Sequence, residues 1–174
     1  IEKGFDFGVK TGFNEFDNLT GGFESGFIVV AARPSMGKTA FAVSLAISMA
    51  RLGSAVGFIS LEMPNVQLAG RLASIVSGQE FWRVFRNVHL SDQEKVEVNR
   101  SILEMASLPI YTTDSSSINL SEIRWRAEKL VKTKSAKIII IDYLQLVDTD
   151  NGPKNQTRER EVAKLSKGLK NLSH

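Results

Sequence analysis

The chain has no cysteine, only two histidines, and no hydrophobic run long enough to cross a bilayer. Without thiols it can form neither disulfides nor thiolate metal sites, which fits a reducing compartment. His89 and His174 are too few and too far apart to suggest a metal site. The apolar segments fall short of the ~18–20 residues that a membrane-spanning helix needs. Membrane and zinc-thiolate functions are therefore not expected.

The sequence also lacks a strong excess of either charge. Its 22 Lys and Arg against 19 Asp and Glu give a net charge of +3 and a pI near 9.2. This balance is compatible with a nucleic-acid partner, but many proteins without one share it. With 174 residues, 43% of them hydrophobic, the chain is expected to form one domain with a real core.

Short apolar runs alternate with helical patterns along the chain. The predicted strands are residues 27–32, 55–60, 109–113 and 137–141, the last ending at Asp142. The predicted helices are residues 39–51, 65–77, 91 to about 107, a helix capped by Asn119, and 158–172. On the helix after Asn119, Ile123, Ala127, Leu130 and Val131 are expected to share a face. The polar residues 148–157 are predicted to form a mobile loop. This alternation predicts an α/β fold with a mainly parallel sheet flanked by helices.

Residues 32–39 read A-R-P-S-M-G-K-T, between the first predicted strand and the first predicted helix. A strand, a turn ending in Gly-Lys-Thr and a helix form a phosphate site, because backbone N–H groups and the helix dipole favour negative charge there. Gly37 allows close backbone approach, Lys38 supplies a positive charge, and the Thr39 hydroxyl can bind Mg²⁺. Ala32 stands where the usual pattern has glycine. The predicted nucleotide contacts are Ser35, Met36, Gly37, Lys38, Thr39 and Ala40.

Two carboxylates follow predicted strands on the same edge of the sheet. Asp142 is the expected magnesium-side acid, since open α/β sheets gather ligands at the carboxyl ends of their strands; the alternative is an Asp that caps a turn. Glu62 can orient and deprotonate a water aimed at the terminal phosphate. The residues alone favour neither this role nor the alternative, in which Glu62 only stabilises the start of a helix.

Further candidates carry weaker signals. Arg71 could stack on a base or meet a phosphate, although a solvated surface arginine is the default. Gln145 could sense the phosphate state, or be an ordinary loop residue. For nucleic acid, the candidates are Lys154, Asn155, Gln156, Arg158 and Arg160, which could follow a phosphate backbone or simply form a solvated helix start.

Four motifs together resemble the DnaB family of replicative DNA helicases. They are T-G-F…F-D…G-G-F over residues 11–23, A-A-R-P-S-M-G-K-T over 31–39, S-L-E-M over 60–63 and I-D-Y-L-Q-L over 141–146. The pair S-L-E-M and D-Y-L-Q-L is specific to this family among RecA-like ATPases, and Ala32 is usual in it.

The resemblance implies a RecA-like motor domain that forms a hexameric ring around single-stranded DNA, with ATP between neighbouring subunits. By motif match, Lys38 and Thr39 hold the phosphates and Mg²⁺, Glu62 is the catalytic carboxylate, and Asp142 is the second magnesium-side acid. Arg71 matches an arginine that contacts the nucleotide. Primase and a helicase loader are the implied partners, and the cytoplasm, at replication forks, the implied location.

The resemblance also sets expected boundaries. Residues 1–10 are expected to be a remnant of an interdomain linker, and residues 11–174 a motor domain truncated after the helix that follows the strand ending at Asp142. The family's second DNA-binding loop and arginine finger are not in the sequence, so the chain is not expected to unwind DNA by itself. Two alternatives stay open: another RecA-like ATPase, such as a recombinase or clock-type switch, and a nucleotide-binding assembly module without turnover.

Overall fold

The computed structural model describes residues 8–33, 35–114, 118–142, 147–148 and 166–171. Its helices are α1 (Asn14–Thr20), α2 (Lys38–Arg51), α3 (Asn65–Ser77), α4 (Phe81–Arg86), α5 (Asp92–Ser107) and α6 (Leu120–Lys134). Residues 166–171 are also helical. Its strands are β1 (Val56–Ser60), β2 (Ile110–Asp114), β3 (Ile118–Asn119), β4 (Ile138–Asp142) and β5 (Val147–Asp148). None of these described helices is long and apolar enough to span a membrane.

The main sheet is parallel, with the strand order β2-β1-β4. Val56 at the start of β1 pairs with Ile110 and Ile138, and Ser60 at its end pairs with Asp114 and Asp142. All three strands therefore end at the same edge of the sheet. A second, short parallel pair joins β3 to β5.

Helices cover both faces of the main sheet. Successive residues of a strand point to opposite faces, so Phe58 and Ile59 enter different hydrophobic clusters. Phe58 packs with residues of α2 and α3, whereas Ile59 packs with residues of α6. Gly57 allows α6 to approach closely, because a Cβ there would lie 2.9 Å from Leu130 Cδ1 and 2.7 Å from Ile139 Cδ1. This two-faced burial explains why β1 shows no polar alternation.

Local capping signals predicted several helix ends correctly. Helix α3 has the predicted bounds and ends at Gly78, which has φ +69°, in the left-handed region that glycine tolerates. Helix α5 begins after Ser91, whose side chain and that of Glu94 form the predicted capping box. Helix α6 begins after Asn119, whose side chain accepts a hydrogen bond from the Glu122 N–H. These capping signals act within four residues, so the helix ends can be predicted without knowledge of the tertiary fold.

The prediction of a buried strand over residues 27–32 is wrong for this structure. These residues are not in a strand, and Ile28, Val29 and Val30 are 49%, 62% and 55% exposed. Only Phe27 is partly buried, against the cluster on the α6 face. An apolar run becomes a strand only when its backbone pairs with a neighbour, and in the described part of the chain this segment has none.

Smaller corrections concern side-chain exposure and loop extent. Val131, expected on the same face as Ile123 and Ala127, is 48% exposed while those two are buried. Asp148, expected in the polar loop, lies in β5 and pairs with Asn119. The rest of that loop lies outside the described residues. The helix predicted over 158–172 is described only over residues 166–171, where Leu169 is buried.

The segment before residue 27 contains a helix that the sequence did not indicate. Helix α1 follows Thr11, whose N–H and hydroxyl donate to Asp17 Oδ1 at 2.9 and 2.8 Å. Gly12 donates its N–H to the other carboxylate oxygen at 2.8 Å. Although burial raises the pKa of Asp17, these hydrogen bonds outweigh it and leave the pKa lowered. Val9, placed by the sequence in the linker, exchanges two backbone hydrogen bonds with Phe23.

Candidate nucleotide site

Three polar residues lie side by side where the parallel strands end. Asp114, Ser60 and Asp142 are in register on β2, β1 and β4. By strand alternation their side chains lie on the same face as those of Phe58 and Ile140, which pack in the cluster that contains α2. The predicted magnesium-side acid therefore projects on the face of the sheet that α2 covers.

Asp142 is buried with one oxygen unpaired. The residue is 5% exposed, and its Oδ2 atom has no hydrogen-bond partner among the described residues. A buried carboxylate oxygen without a partner costs free energy unless a proton donor or a cation meets it. Hard oxygen ligands of this kind suit Mg²⁺, which takes one or two carboxylates and completes its shell with water and phosphate oxygens. The described residues contain no cluster of three or more acidic or histidine side chains that could hold a metal ion.

The first turn of α2 leaves backbone donors available. Gly37, the N-cap residue, has φ +84° and supplies no side-chain cap, and the first helical hydrogen bond runs from the Phe41 N–H to the Gly37 carbonyl oxygen. The N–H groups of Thr39 and Ala40 thus have no acceptor within the helix. No acidic residue lies in this turn to offset the positive end of the dipole. An anion is the natural partner for such a helix start.

The predicted phosphate residues cluster around that helix start. Lys38 Nζ reaches back to donate to the carbonyl oxygen of Ala32 at 3.3 Å, and Lys38 and Thr39 are half-buried. Ser35 has φ +62°, so the backbone of the turn bends sharply before Gly37. Met36 and Ala40 are exposed. The turn before α2 and the Lys38 side chain therefore form a compact surface that is accessible to solvent.

Glu62 projects from a short turn between β1 and α3 whose other residues are tied down. Leu61 and Met63, on either side of it, are buried, whereas Glu62 is exposed. The Leu61 N–H donates to the backbone carbonyl oxygen of Asp142 at 2.8 Å. This bond connects the turn that carries Glu62 directly to the end of β4.

Two further contacts hold the same turn. The Ser60 hydroxyl donates to the Met63 carbonyl oxygen at 2.7 Å and accepts from the Met63 N–H at 3.2 Å. The backbone N–H and the side-chain amide of Asn65 donate to the two carboxylate oxygens of Asp114 at 2.8 and 3.0 Å. Asp114 was not among the residues predicted from the sequence, although its position at the end of a strand was the available signal.

Arg71 is packed rather than freely solvated. Its Nε donates to Met63 Sδ at 3.1 Å, and its guanidinium carbon lies 4.8 Å from the centre of the Phe81 ring. This stacking geometry is typical of arginine. Gln145 and the nucleic-acid candidates Lys154, Asn155, Gln156, Arg158 and Arg160 lie outside the described residues.

Comparison with known proteins gives matches over nearly the whole chain. Residues 8–174 match the family described as "DnaB-like helicase C terminal domain". The chain is 36% identical over 168 residues to a replicative DNA helicase DnaB of Geobacillus stearothermophilus, covering 95% of this chain and 37% of that protein. It is 35% identical over 173 residues to a replicative DNA helicase DnaC of Bacillus subtilis (strain 168), covering 98% and 38%. The chain thus spans less than two fifths of the length of these relatives.

Solved structures show the same similarity. The chain superposes on a solved ATPase domain with a TM-score of 0.86 and 28% identity, covering 99% of this chain and 61% of that one. It also superposes with a TM-score of 0.86 and 27% identity on a DnaB-like replicative helicase described together with its interactions with primase, covering 99% and 42%.

Proposed function

Because this chain belongs to the family of DnaB-like helicase C-terminal domains, we propose that it is the ATP-hydrolysing motor domain of a replicative DNA helicase. The motor couples hydrolysis to 5′→3′ movement along single-stranded DNA. The fold predicted from the sequence, a RecA-like α/β core with a parallel sheet between helices, is confirmed.

One observation carries the proposal. Asp142 lies buried at the end of β4, on the face of the sheet covered by the helix that follows the Gly-Lys-Thr turn, and its Oδ2 atom has no partner among the described residues. An uncompensated buried anion destabilises a fold, so its presence calls for a compensating group. A divalent cation held by Asp142 would supply that compensation.

Each candidate residue has one role in this proposal. The N–H groups at the start of α2, with Ser35, Met36, Gly37 and Ala40, cradle the phosphates, and Lys38 neutralises their charge. Thr39 and Asp142 would hold Mg²⁺, which when bound stabilises the charge that develops on the phosphate oxygens. Glu62, exposed on its fixed turn, accepts a proton from the attacking water. Arg71 and Gln145 contact the nucleotide in this proposal.

The proposal for partners rests on the family and on charge. Lys154, Asn155, Arg158 and Arg160 contact the DNA backbone without reading its sequence. The complete protein forms a hexameric ring and acts in the cytoplasm at replication forks, with primase and a loader as partners. Residues 11–174 belong to the motor domain and residues 1–10 to its linker. The family match and the helicase relatives favour this reading over a recombinase or a clock-type switch.

The test uses the full-length protein. We expect single-stranded DNA to stimulate ATP hydrolysis, and DNA affinity in the presence of a non-hydrolysable ATP analogue to fall steeply with salt, because phosphate contacts release counterions. Lys38→Ala should abolish nucleotide binding. Lys137→Ala is the matched control, because Lys137 is exposed and its backbone N–H donates to the Ala55 carbonyl oxygen.

Strand exchange or autophosphorylation without DNA-stimulated turnover would overturn the proposal. Multi-turnover hydrolysis by this chain would exclude a passive assembly module.

A further inference from the structure

The turn that carries Glu62 is clamped from two sides by residues whose side-chain polar groups bond the turn and the helix after it. At the start of the turn, the Ser60 hydroxyl makes two hydrogen bonds to the Met63 backbone. Asp114, at the end of β2, holds it from outside through both hydrogen bonds from Asn65, the first residue of α3. Glu62 lies between these two anchor points.

No residue at the start of α3 could replace these hydrogen bonds with a side-chain cap of its own. Helix α3 has Pro64 at its N-cap, which supplies no side-chain hydrogen bond to the helix. Asp114 fills that role from a separate strand, where a carboxylate also interacts favourably with the positive end of the helix dipole. Ser60 is 1% exposed, and its hydroxyl both donates to and accepts from the Met63 backbone. A buried hydroxyl that bonds both polar groups of one peptide residue fixes that residue's orientation.

The clamp also relates Glu62 to Asp142. Ser60 is the register partner of both Asp114 and Asp142, and Leu61 donates its N–H to the Asp142 carbonyl oxygen. The ends of all three strands are therefore connected through one turn. A carboxylate on a surface turn would otherwise sample many positions, and a displacement of about 1 Å at a reacting group costs up to ~100-fold in rate.

We propose that Ser60 and Asp114 are positioning residues that hold the Glu62 carboxylate at the distance from the nucleotide that hydrolysis requires. This inference rests on the proposed function of Glu62, and it goes beyond that function by assigning the control of its position to two residues on neighbouring strands. Because the polar groups of both residues bond the turn and α3, we expect their loss to change kcat rather than nucleotide affinity.

The first experiment measures steady-state ATP hydrolysis by the full-length protein. Ser60→Ala and Asp114→Ala should each lower kcat about 10- to 100-fold with KM and the affinity for a fluorescent ATP analogue unchanged. Ser60→Thr, which keeps the hydroxyl, and Asp114→Asn, which keeps an acceptor for the Asn65 N–H, should restore most of the rate. Thr113→Val is the matched control, since it removes from the neighbouring position of β2 a hydroxyl that has no partner among the described residues.

A double-mutant cycle separates positioning from general loss of structure. In a Glu62→Gln background, Ser60→Ala and Asp114→Ala should cause no further loss of kcat, because there is no carboxylate left to position. Losses that multiply in the double variants, or KM changes that match the kcat changes, would overturn the inference. A Glu62→Gln variant with normal turnover would instead remove the proposed function of Glu62 itself.

Amide hydrogen exchange tests the clamp without reference to activity. Asp114→Ala should raise the exchange rates of the Asn65 amide and of the amides of residues 61–63, and leave that of Phe58 in the middle of β1 unchanged. Unchanged protection of the turn in both Ala variants would overturn the clamp even in a protein that hydrolyses ATP normally.

Discussion

Leu61 donates its backbone N–H to the carbonyl oxygen of Asp142 at 2.8 Å. The turn that carries Glu62 therefore continues the hydrogen-bond ladder between β1 and β4, which ends at Asp142. The two acids lie far apart in sequence, and the parallel pairing of β1 with β4, which this hydrogen bond extends, brings their segments together. Their environments are opposite: Asp142 is buried and Glu62 is exposed. A buried acid suits metal binding, and an accessible one suits proton transfer from water.

Glu62→Gln should lower kcat to a small but measurable residual rate while nucleotide binding persists. The amide keeps the shape of the side chain but cannot accept a proton from water, and general-base catalysis is worth about 10²- to 10⁴-fold. The measurement is kcat beside the affinity for a fluorescent ATP analogue. Glu97→Gln, at an exposed position of α5, should leave both values unchanged. Loss of binding together with turnover would contradict the assignment.

Asp142→Asn should stabilise the metal-free protein while it abolishes magnesium-dependent hydrolysis. Removing a buried charge whose Oδ2 lacks a partner among the described residues should raise the free energy of unfolding by about 1 kcal/mol. Urea denaturation in EDTA measures this gain. Magnesium and nucleotide together should stabilise the wild type and not the variant. A variant that is less stable than the wild type in EDTA would show that the carboxylate is satisfied in the fold.

Protonation of Glu94 should weaken the start of α5 at low pH. The Ser91 N–H, followed by the Arg83 guanidinium, lowers the pKa of Glu94 from 4.5 to about 2. Because the folded-state pKa is depressed, this stabilisation is complete above pH 4.5 and is lost as the pH falls towards 2. The Tm difference between wild type and Glu94→Gln should therefore shrink over that interval. A difference that stays constant throughout would exclude the linkage; Glu97→Gln is the control.

Asn119→Ala should lower the free energy of unfolding by about 1 kcal/mol, because the Asn119 side chain caps the Glu122 N–H at the start of α6. Equilibrium urea denaturation is the measurement. Ser121→Ala, at an exposed position in the same helical turn, should cost much less. Equal losses in the two variants would mean that the cap contributes nothing.

The local parts of this fold could be predicted because their causes are local. Gly78 ends α3 and the Ser91–Glu94 box begins α5 through contacts within a few residues. The Gly-Lys-Thr turn and the acids Glu62 and Asp142 were found for the same reason, since residue type and sequence neighbours specify them. Helix α1 escaped prediction because its N-terminus depends on Thr11 and Asp17, more than a helical turn apart, rather than on a standard cap.

The amino-acid sequence by itself determined the family, the phosphate turn and the two candidate acids, because these depend on short motifs. Only the tertiary structure decided that residues 27–32 stand outside the described sheet, that Asp142 is buried with an oxygen unpaired among the described residues, and that Asp114 anchors α3. Each of these facts depends on which strands pair and in which register. That choice joins backbone groups dozens of residues apart, and no pattern in a local window of sequence encodes it.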